Sequence, residues 1–203
     1  MENDNIKITN VLTRVQKKQV ARLYYEAFTK KFHALWIFTK DRSKAAEVLF
    51  ESLRYKNGLY AVRDERVLGF IGLEKGSDFF SPLYYSSFCK VFSPIDGLWR
   101  YLAYQIYRLI HRPADKDVLH IDPIVVSEQA RGKGIGTSLL LRTFELAKKI
   151  GRKQVVLEVV DTNPKAKRLY ERLGFRVVKE ENTGLLTKRA GFKKVYYMVK
   201  DIS

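Results

Sequence analysis

The sequence has a single cysteine, Cys89, among 203 residues, so no disulfide can form within the chain. Nothing therefore implies an oxidising compartment. No apolar run is long enough to span a bilayer. The first residues, Met1-Glu2-Asn3-Asp4-Asn5, are polar and acidic and lack the basic and apolar regions of a secretory leader. A cytoplasmic protein is the expectation. Internal repeats and low-complexity linkers are also missing, and the length suits one domain spanning 1–203. Acidic residues are scarce beside basic ones, 22 against 38, for a formal net charge of +16. Such a chain attracts anions: nucleic acid, an anionic membrane or a polyanionic cofactor. Apolar residues at 46% and charged residues at 30% are an ordinary globular balance, which argues against disorder.

Hydrophobic periodicity places the elements. Residues 6–12 alternate as a short strand. Thr13 can cap a helix over 15–28, with Val15, Val20, Leu23, Tyr24 and Ala27 on one face. Asp41 can cap a second helix, which Asn57-Gly58 would end in a left-handed stop. Strands at 59–63 and 67–73 form a hairpin around Asp64-Glu65-Arg66. The regular pattern then breaks over 77–117, an aromatic stretch that reads as an insertion. Within it, 98–111 is a helix apolar on most sides, carrying Trp99, Tyr101, Tyr104 and Tyr107 and closed by Pro113. At least two of its sides should be covered, one by the domain and another by substrate, a second subunit or lipid. A homodimer surface and a wall over a substrate, built from Trp99, Tyr101 and Tyr104, are the two readings.

Order resumes with a strand at 118–126, a helix at 134–150, a strand at 154–160 and a helix at 163–173. The near-continuous apolar run of Val155, Val156, Leu157, Val159 and Val160 reads as a strand buried on both faces. Two strands, 175–179 and 192–199, close the chain. The alternation predicts an α/β fold, with a mixed sheet parallel at its centre and flanked by helices.

Two motifs carry chemistry. Arg131-Gly132-Lys133-Gly134-Ile135-Gly136 follows a strand and opens a helix. Glycines there let backbone N–H groups converge on a phosphate, and the helix N-terminus adds free donors. Alone, this is compatible with a plain turn. The second is Asn163-Pro164-Lys165-Ala166-Lys167-Arg168-Leu169-Tyr170-Glu171-Arg172-Leu173-Gly174-Phe175. Ala166, Leu169, Tyr170 and Leu173 share a helical face, while Lys165, Lys167, Arg168 and Arg172 make the others positive. Alone, Tyr170 could equally be a core aromatic and the cations a solvated surface.

Together the motifs resemble those of the GNAT superfamily of acyl-CoA-dependent N-acetyltransferases. The resemblance is close over 119–175, loose before it, and does not cover the insertion. It implies a mostly antiparallel central sheet with a splayed parallel pair. It also implies acetyl-CoA as co-substrate, an amine acceptor, and no metal. Arg131, Gly132, Lys133, Gly134, Ile135, Gly136 and Thr137 would hold the CoA pyrophosphate. The backbone of Ile124, Val125 and Val126 would pair with the pantetheine arm, near Asn163, Ala166 and Lys167. Tyr170 would lie by the sulfur and protonate the leaving thiolate.

An attacking amine must lose a proton, so a base or water path is needed. His120 and Asp122 alternate on one strand and face the same side. In the arylalkylamine branch of that family the matching positions hold two histidines. Here the second is aspartate, which could orient His120 or act through water. Glu158 on the neighbouring strand is the rival base. Equally, His120 could be a satisfied strand histidine and Asp122 a turn former before Pro123.

Other classes fit less well. A dinucleotide fold needs Gly-x-Gly-x-x-Gly, and the spacing here is Gly-x-Gly-x-Gly. A nucleic-acid module would suit the charge, but no stacking motif or recognition helix stands out. A non-catalytic acyl-CoA-binding protein of the same fold is the nearer alternative.

Overall fold

The computed structural model describes residues 6–110 and 117–202. The chain opens with β1 (Lys7–Thr9) and α1 (Arg14–Ala27). A one-turn helix, α2 (Thr29–Lys31), and a π-helical turn (Phe32–Trp36) lead to α3 (Arg42–Ser52). The hairpin of β2 (Gly58–Arg63) and β3 (Arg66–Glu74) follows, then α4 (Tyr85–Val91) and α5 (Pro94–Ile110). Next come β4 (Val118–Val126), α6 (Ile135–Lys149), β5 (Gln154–Val160) and α7 (Pro164–Arg172). β6 (Arg176–Asn182), α8 (Gly184–Thr187) and β7 (Lys194–Asp201) complete the described chain.

The strands form one seven-stranded sheet in the order β1-β2-β3-β4-β5-β7-β6. β4 and β5 pair in parallel, and the other described pairs are antiparallel. The element pattern predicts a mixed sheet, and the mostly antiparallel pairing around one parallel pair is what the family resemblance implies.

Local chemistry explains the boundaries. Thr13 and Gln16 form a reciprocal capping box at the start of α1. Asp41 accepts the N–H groups of Ser43 and Lys44 at the start of α3. Asp64 and Glu65 both take positive φ, 46° and 64°, as a two-residue hairpin turn requires.

Several boundaries differ from the sequence reading. α3 ends at Ser52, and Tyr55–Asn57 form a separate 3₁₀ turn. Gly58 is not a left-handed stop; its φ of −131° begins β2. α5 starts at Pro94 rather than near Leu98, because Ser93 caps it through the Asp96 N–H and proline suits a first helical turn. His111 and Pro113 lie outside the described residues. β5 is not buried on both faces: Val155, Leu157 and Val159 are buried, Val156 and Val160 half-buried, and Glu158 exposed.

Two cores lie on the two faces of the sheet. On one face, α1, α3, α4 and α5 cover Tyr60, Phe70, Phe80 and Val125. On the other, α6 and α7 cover Ala61, Ile71, Leu119, Ile121, Leu157 and Met198. A small third cluster, Ala190, Phe192 and Val195, joins Ala34 and Leu35 of the π-helical turn. In α5, Tyr104 points into the first core, whereas Ile95, Leu102 and Ile106 are 85%, 52% and 65% exposed. One apolar side of α5 thus packs on the domain, and the side of Ile95, Leu102 and Ile106 faces outward from the single chain.

α1 carries Val20, Ala21 and Tyr24 into the first core, so its cap matters to the whole face. Thr13→Ala should cost about 1 kcal/mol of stability. Urea unfolding should show a lower midpoint with an unchanged slope.

Candidate functional site

The parallel ladder between β4 and β5 is short. It joins Val118–Ile121 to Gln154–Leu157 and stops. β4 runs on to Val126 paired to β3, and β5 runs on to Val160 paired to β7. Their facing edges therefore part beyond Ile121 and Leu157, and a wedge opens through the sheet. Among the described residues, no strand pairs with the wedge-facing edge of Ile124, Val125 and Val126.

The glycine-rich turn lies at the far end of β4. Gly132 and Gly134 have φ of 77° and 76°, so conformation rather than space demands glycine there. Gly134 caps α6 without any side chain, leaving the first-turn N–H groups uncovered by a capping group. Arg131 and Lys133 are exposed beside it, Thr137 is half-buried, and Ile135 anchors the turn in the second core. A Cβ at Gly136 would stand 3.6 Å from Leu169 and 3.8 Å from Val126. The end of β4, the start of α6 and the side of α7 thus converge.

α7 is capped by Asn163, whose Oδ1 accepts the Ala166 N–H at 3.3 Å. Tyr170 is buried in the second core, with its ring 5.9 Å from Phe175. Burial alone raises its phenol above the ordinary value, so it holds its proton through neutral pH. Lys167 pairs with Glu171 and lies over the Tyr196 ring. Lys165, Arg168 and Arg172 line a groove with Glu171 on the outer side of α7.

The opposite face carries an ionisable cluster. Glu74, at the end of β3, is in register with His120, and His120 is in register with Val156 on β5. Alternation then puts Asp122 and Glu158 on the same face. His120 Nδ1 and Glu74 Oε2 are 3.2 Å apart. Burial opposes charge on His120, but the bond to Glu74 and the fields of Asp122, Glu74 and Glu158 outweigh it. Its pKa is pushed up to about 9. His120 is therefore an imidazolium at neutral pH, with Nδ1–H donating to Glu74. Burial raises the Glu74 carboxyl. Tyr24 of α1 and Tyr104 of α5 are buried on this face, and the phenols of both are raised first by burial and further by Asp122 and Glu74. The Tyr104 hydroxyl donates to the Ser81 carbonyl at 3.2 Å.

The match to the GNAT acetyltransferase family model spans residues 18–175. The chain belongs to the GNAT acetyltransferase family. Among curated proteins it is similar to an uncharacterized N-acetyltransferase of Methanocaldococcus jannaschii. That match is 45% identical over 60 residues, covering 30% of this chain and 26% of the relative. It is also similar to thialysine Nε-acetyltransferase of Mus musculus, 36% identical over 73 residues, covering 36% and 43% of the two chains. The chain thus spans less than half the length of the curated relatives it matches. An acetyltransferase crystal structure superposes with a TM-score of 0.62 at 23% identity, covering 97% of this chain and all of that one. The N-acetyltransferase of Staphylococcus aureus Mu50 gives 0.62 at 17%, covering 96% and 100%. At these identities the likeness is one of fold.

Within this GNAT fold the structure sorts the residues singled out from sequence into two sets. The turn 131–137, the edge 124–126 and the helix with Asn163, Ala166, Lys167 and Tyr170 lie by the second core. His120, Asp122 and Glu158 meet on the other face. Sequence reasoning missed Glu74 and Tyr24. Glu74 could have been found as a lone carboxylate ending a buried strand. Tyr24 reads from the sequence as one residue of a core face. Of the three insertion aromatics, Tyr104 is the one buried on this face. Trp99 stacks near Phe38 instead, and Tyr101 near Tyr85 and Phe88.

His120 has a folded pKa above its unperturbed value of about 6.5. Its charge therefore stabilises the fold fully below that value, and the contribution is lost as pH rises through about 9. In Glu74→Gln the charged partner is gone and burial should dominate. NMR titration of the imidazole should then give a midpoint well below about 9. An unmoved midpoint would show that Glu74 is not what holds the proton.

Proposed function

We propose that the chain transfers the acetyl group of acetyl-CoA to a primary alkyl amine by direct attack in a ternary complex. One observation carries this reading. The uncapped glycine turn and Tyr170 lie on one face of the sheet, the carboxylate cluster lies on the other, and the wedge between β4 and β5 connects them. A long donor can lie on the cationic face and pass its thioester into the wedge, where an amine meets it from the anionic face.

The chemistry divides accordingly. The N–H groups of 132–137 receive the pyrophosphate, with Arg131 and Lys133 adding field. The free edge of 124–126 pairs with the pantetheine amides as an added strand, alongside α7 with Asn163, Ala166 and Lys167. A backbone N–H in the wedge polarises the thioester carbonyl. On the other face, Glu74, Asp122 and Glu158 favour a cationic acceptor, and the similarity to thialysine Nε-acetyltransferase supports a lysine-like amine. The acceptor ammonium must lose a proton. His120 already holds one, so Asp122 or Glu158, directly or through water, is the acceptor of that proton and His120 orients the cluster. Tyr170, protonated by virtue of its burial, donates to the departing thiolate. CoA release with a panel of alkyl amines separates this enzyme from a non-catalytic acyl-CoA binder.

Gly134→Asp tests the donor site. Aspartate tolerates a φ of 76° better than most residues, so the fold should persist while its charge repels the pyrophosphate. Calorimetry should show CoA affinity collapsing; unchanged affinity would remove the turn from the donor site. Tyr170→Phe should lower turnover by about 10²-fold with CoA binding retained. Full activity across the pH range would leave Tyr170 a packing residue.

A further inference from the structure

Seven large apolar side chains exposed among the described residues fall within 84–106, and five of them lie on α5. Ile95, Leu102 and Ile106 are joined there by Leu98 and Trp99, at 44% and 45% exposed. Helical spacing puts Ile95, Trp99, Leu102 and Ile106 in one narrow stripe, with Leu98 on its flank. The opposite side of α5 is the one that packs. Tyr104 is buried in the first core, and a Cβ at Gly97 would stand 3.1 Å from the backbone of α4.

The stripe has a property of its own. Its members are 4, 3 and 4 residues apart, a spacing that reads the same in both directions. Such a stripe is complementary to itself on an antiparallel copy. With a two-fold axis midway between Arg100 and Tyr101, Ile95 meets Ile106 of the partner subunit, and Trp99 meets Leu102 of the partner subunit. The five side chains leave on the order of 500 Å² in water, so a two-fold pair removes about 1,000 Å², the size at which a specific interface begins.

The polar groups beside the stripe already have partners within the chain. Trp99 Nε1–H donates to Asp96 Oδ1 at 2.6 Å. Asp96 also pairs with Arg100 at 3.2 Å, and Arg100 donates to the carbonyls of Ile37 and Phe38. Arg108, the remaining charge of α5, lies over the Phe79 ring. The stripe can therefore be dried without stranding a donor, and Trp99 enters the contact as a fixed aromatic anchor. A helix lying on a lipid surface carries a strongly cationic polar face. The few charges of α5 are instead turned to its own chain.

We propose that α5 is the dimer interface of this protein, packed antiparallel on α5 of a second copy.

Sedimentation equilibrium of the full chain should give twice the mass of 23.7 kDa at micromolar concentration. Leu102→Glu, at an exposed position, should leave the circular dichroism unchanged and raise the dimer dissociation constant by about 10²-fold or more. Orientation is read in a Cys89→Ser background. Ile95 and Ile106 are about 16 Å apart along one helix, too far for a disulfide within a chain. The double variant Ile95→Cys/Ile106→Cys should therefore oxidise to a covalent dimer, while each single variant runs as a monomer on a non-reducing gel. A wild-type chain that stays monomeric overturns the proposal. So does a dimer of unchanged affinity in folded Leu102→Glu, or disulfides in the single variants and none in the double. If Leu102→Glu does not fold, the cysteine variants decide alone. Vesicles of phosphatidylglycerol and phosphatidylcholine complete the test. A monomer that binds them, with binding lost in Leu102→Glu, assigns the face to lipid and overturns the dimer.

Discussion

The early end of the β4–β5 ladder is the constraint on which the site depends. Two parallel strands that stay paired only as far as Ile121 and Leu157 leave backbone donors and acceptors open inside the sheet. Such groups need partners, from water or from a ligand that can pair as a strand does. The neighbouring strand supports the divergence. Against β3, strand β4 carries one extra residue: Asp122 and Pro123 stand opposite Gly72 between the pairs Ile71–Ile124 and Leu73–Ile121. At Gly72 a Cβ would stand 2.5 Å from the Asp122 carbonyl oxygen, so glycine allows the two backbones to approach there. The opening is thus built into the sheet rather than carved between loops.

The wedge also divides charge. A net charge of +16 suggests a uniformly basic surface, yet the sheet face under α1 and α5 gathers Glu74, Asp122 and Glu158 at its centre. The field of Asp122 adds to burial in raising the Glu74 carboxyl. The fold answers with a cation set among them: His120 keeps its proton up to about 9. The cations of the turn and of α7 gather on the other side. The two faces therefore differ in sign as well as in covering helices.

The stretch between β3 and β4 serves both purposes. α4 and α5 extend the first core, and Tyr104 brings a buried phenol to the face of the carboxylates. Trp99 and Tyr101 share the composition of Tyr104 but not its place. Helical phase decides this: Tyr104 faces the core, Tyr101 faces α4, and Trp99 turns toward Phe38. Aromatic content by itself could not sort the three.

Much was legible in the chain without coordinates, because it depends on short-range rules. The caps at Thr13 and Asp41, the hairpin at Asp64-Glu65, the glycine turn at 131–136 and the α7 motif are all written within a few residues of one another. Alternation also put His120 and Asp122 on one side of β4. Where a residue carries two plausible local meanings, as Asn57-Gly58 and the valine run of β5 do, local reading chose wrongly. Tertiary structure alone brought Glu74 beside His120, since their hydrogen bond spans 46 positions of sequence and depends on strand register. The same register sets the protonation of His120, because a histidine's pKa is decided by the charges packed around it. The rings of Phe28, Trp36 and Phe192 around the Lys31 ammonium likewise join segments from residue 28 to residue 192, and no local pattern encodes such a meeting.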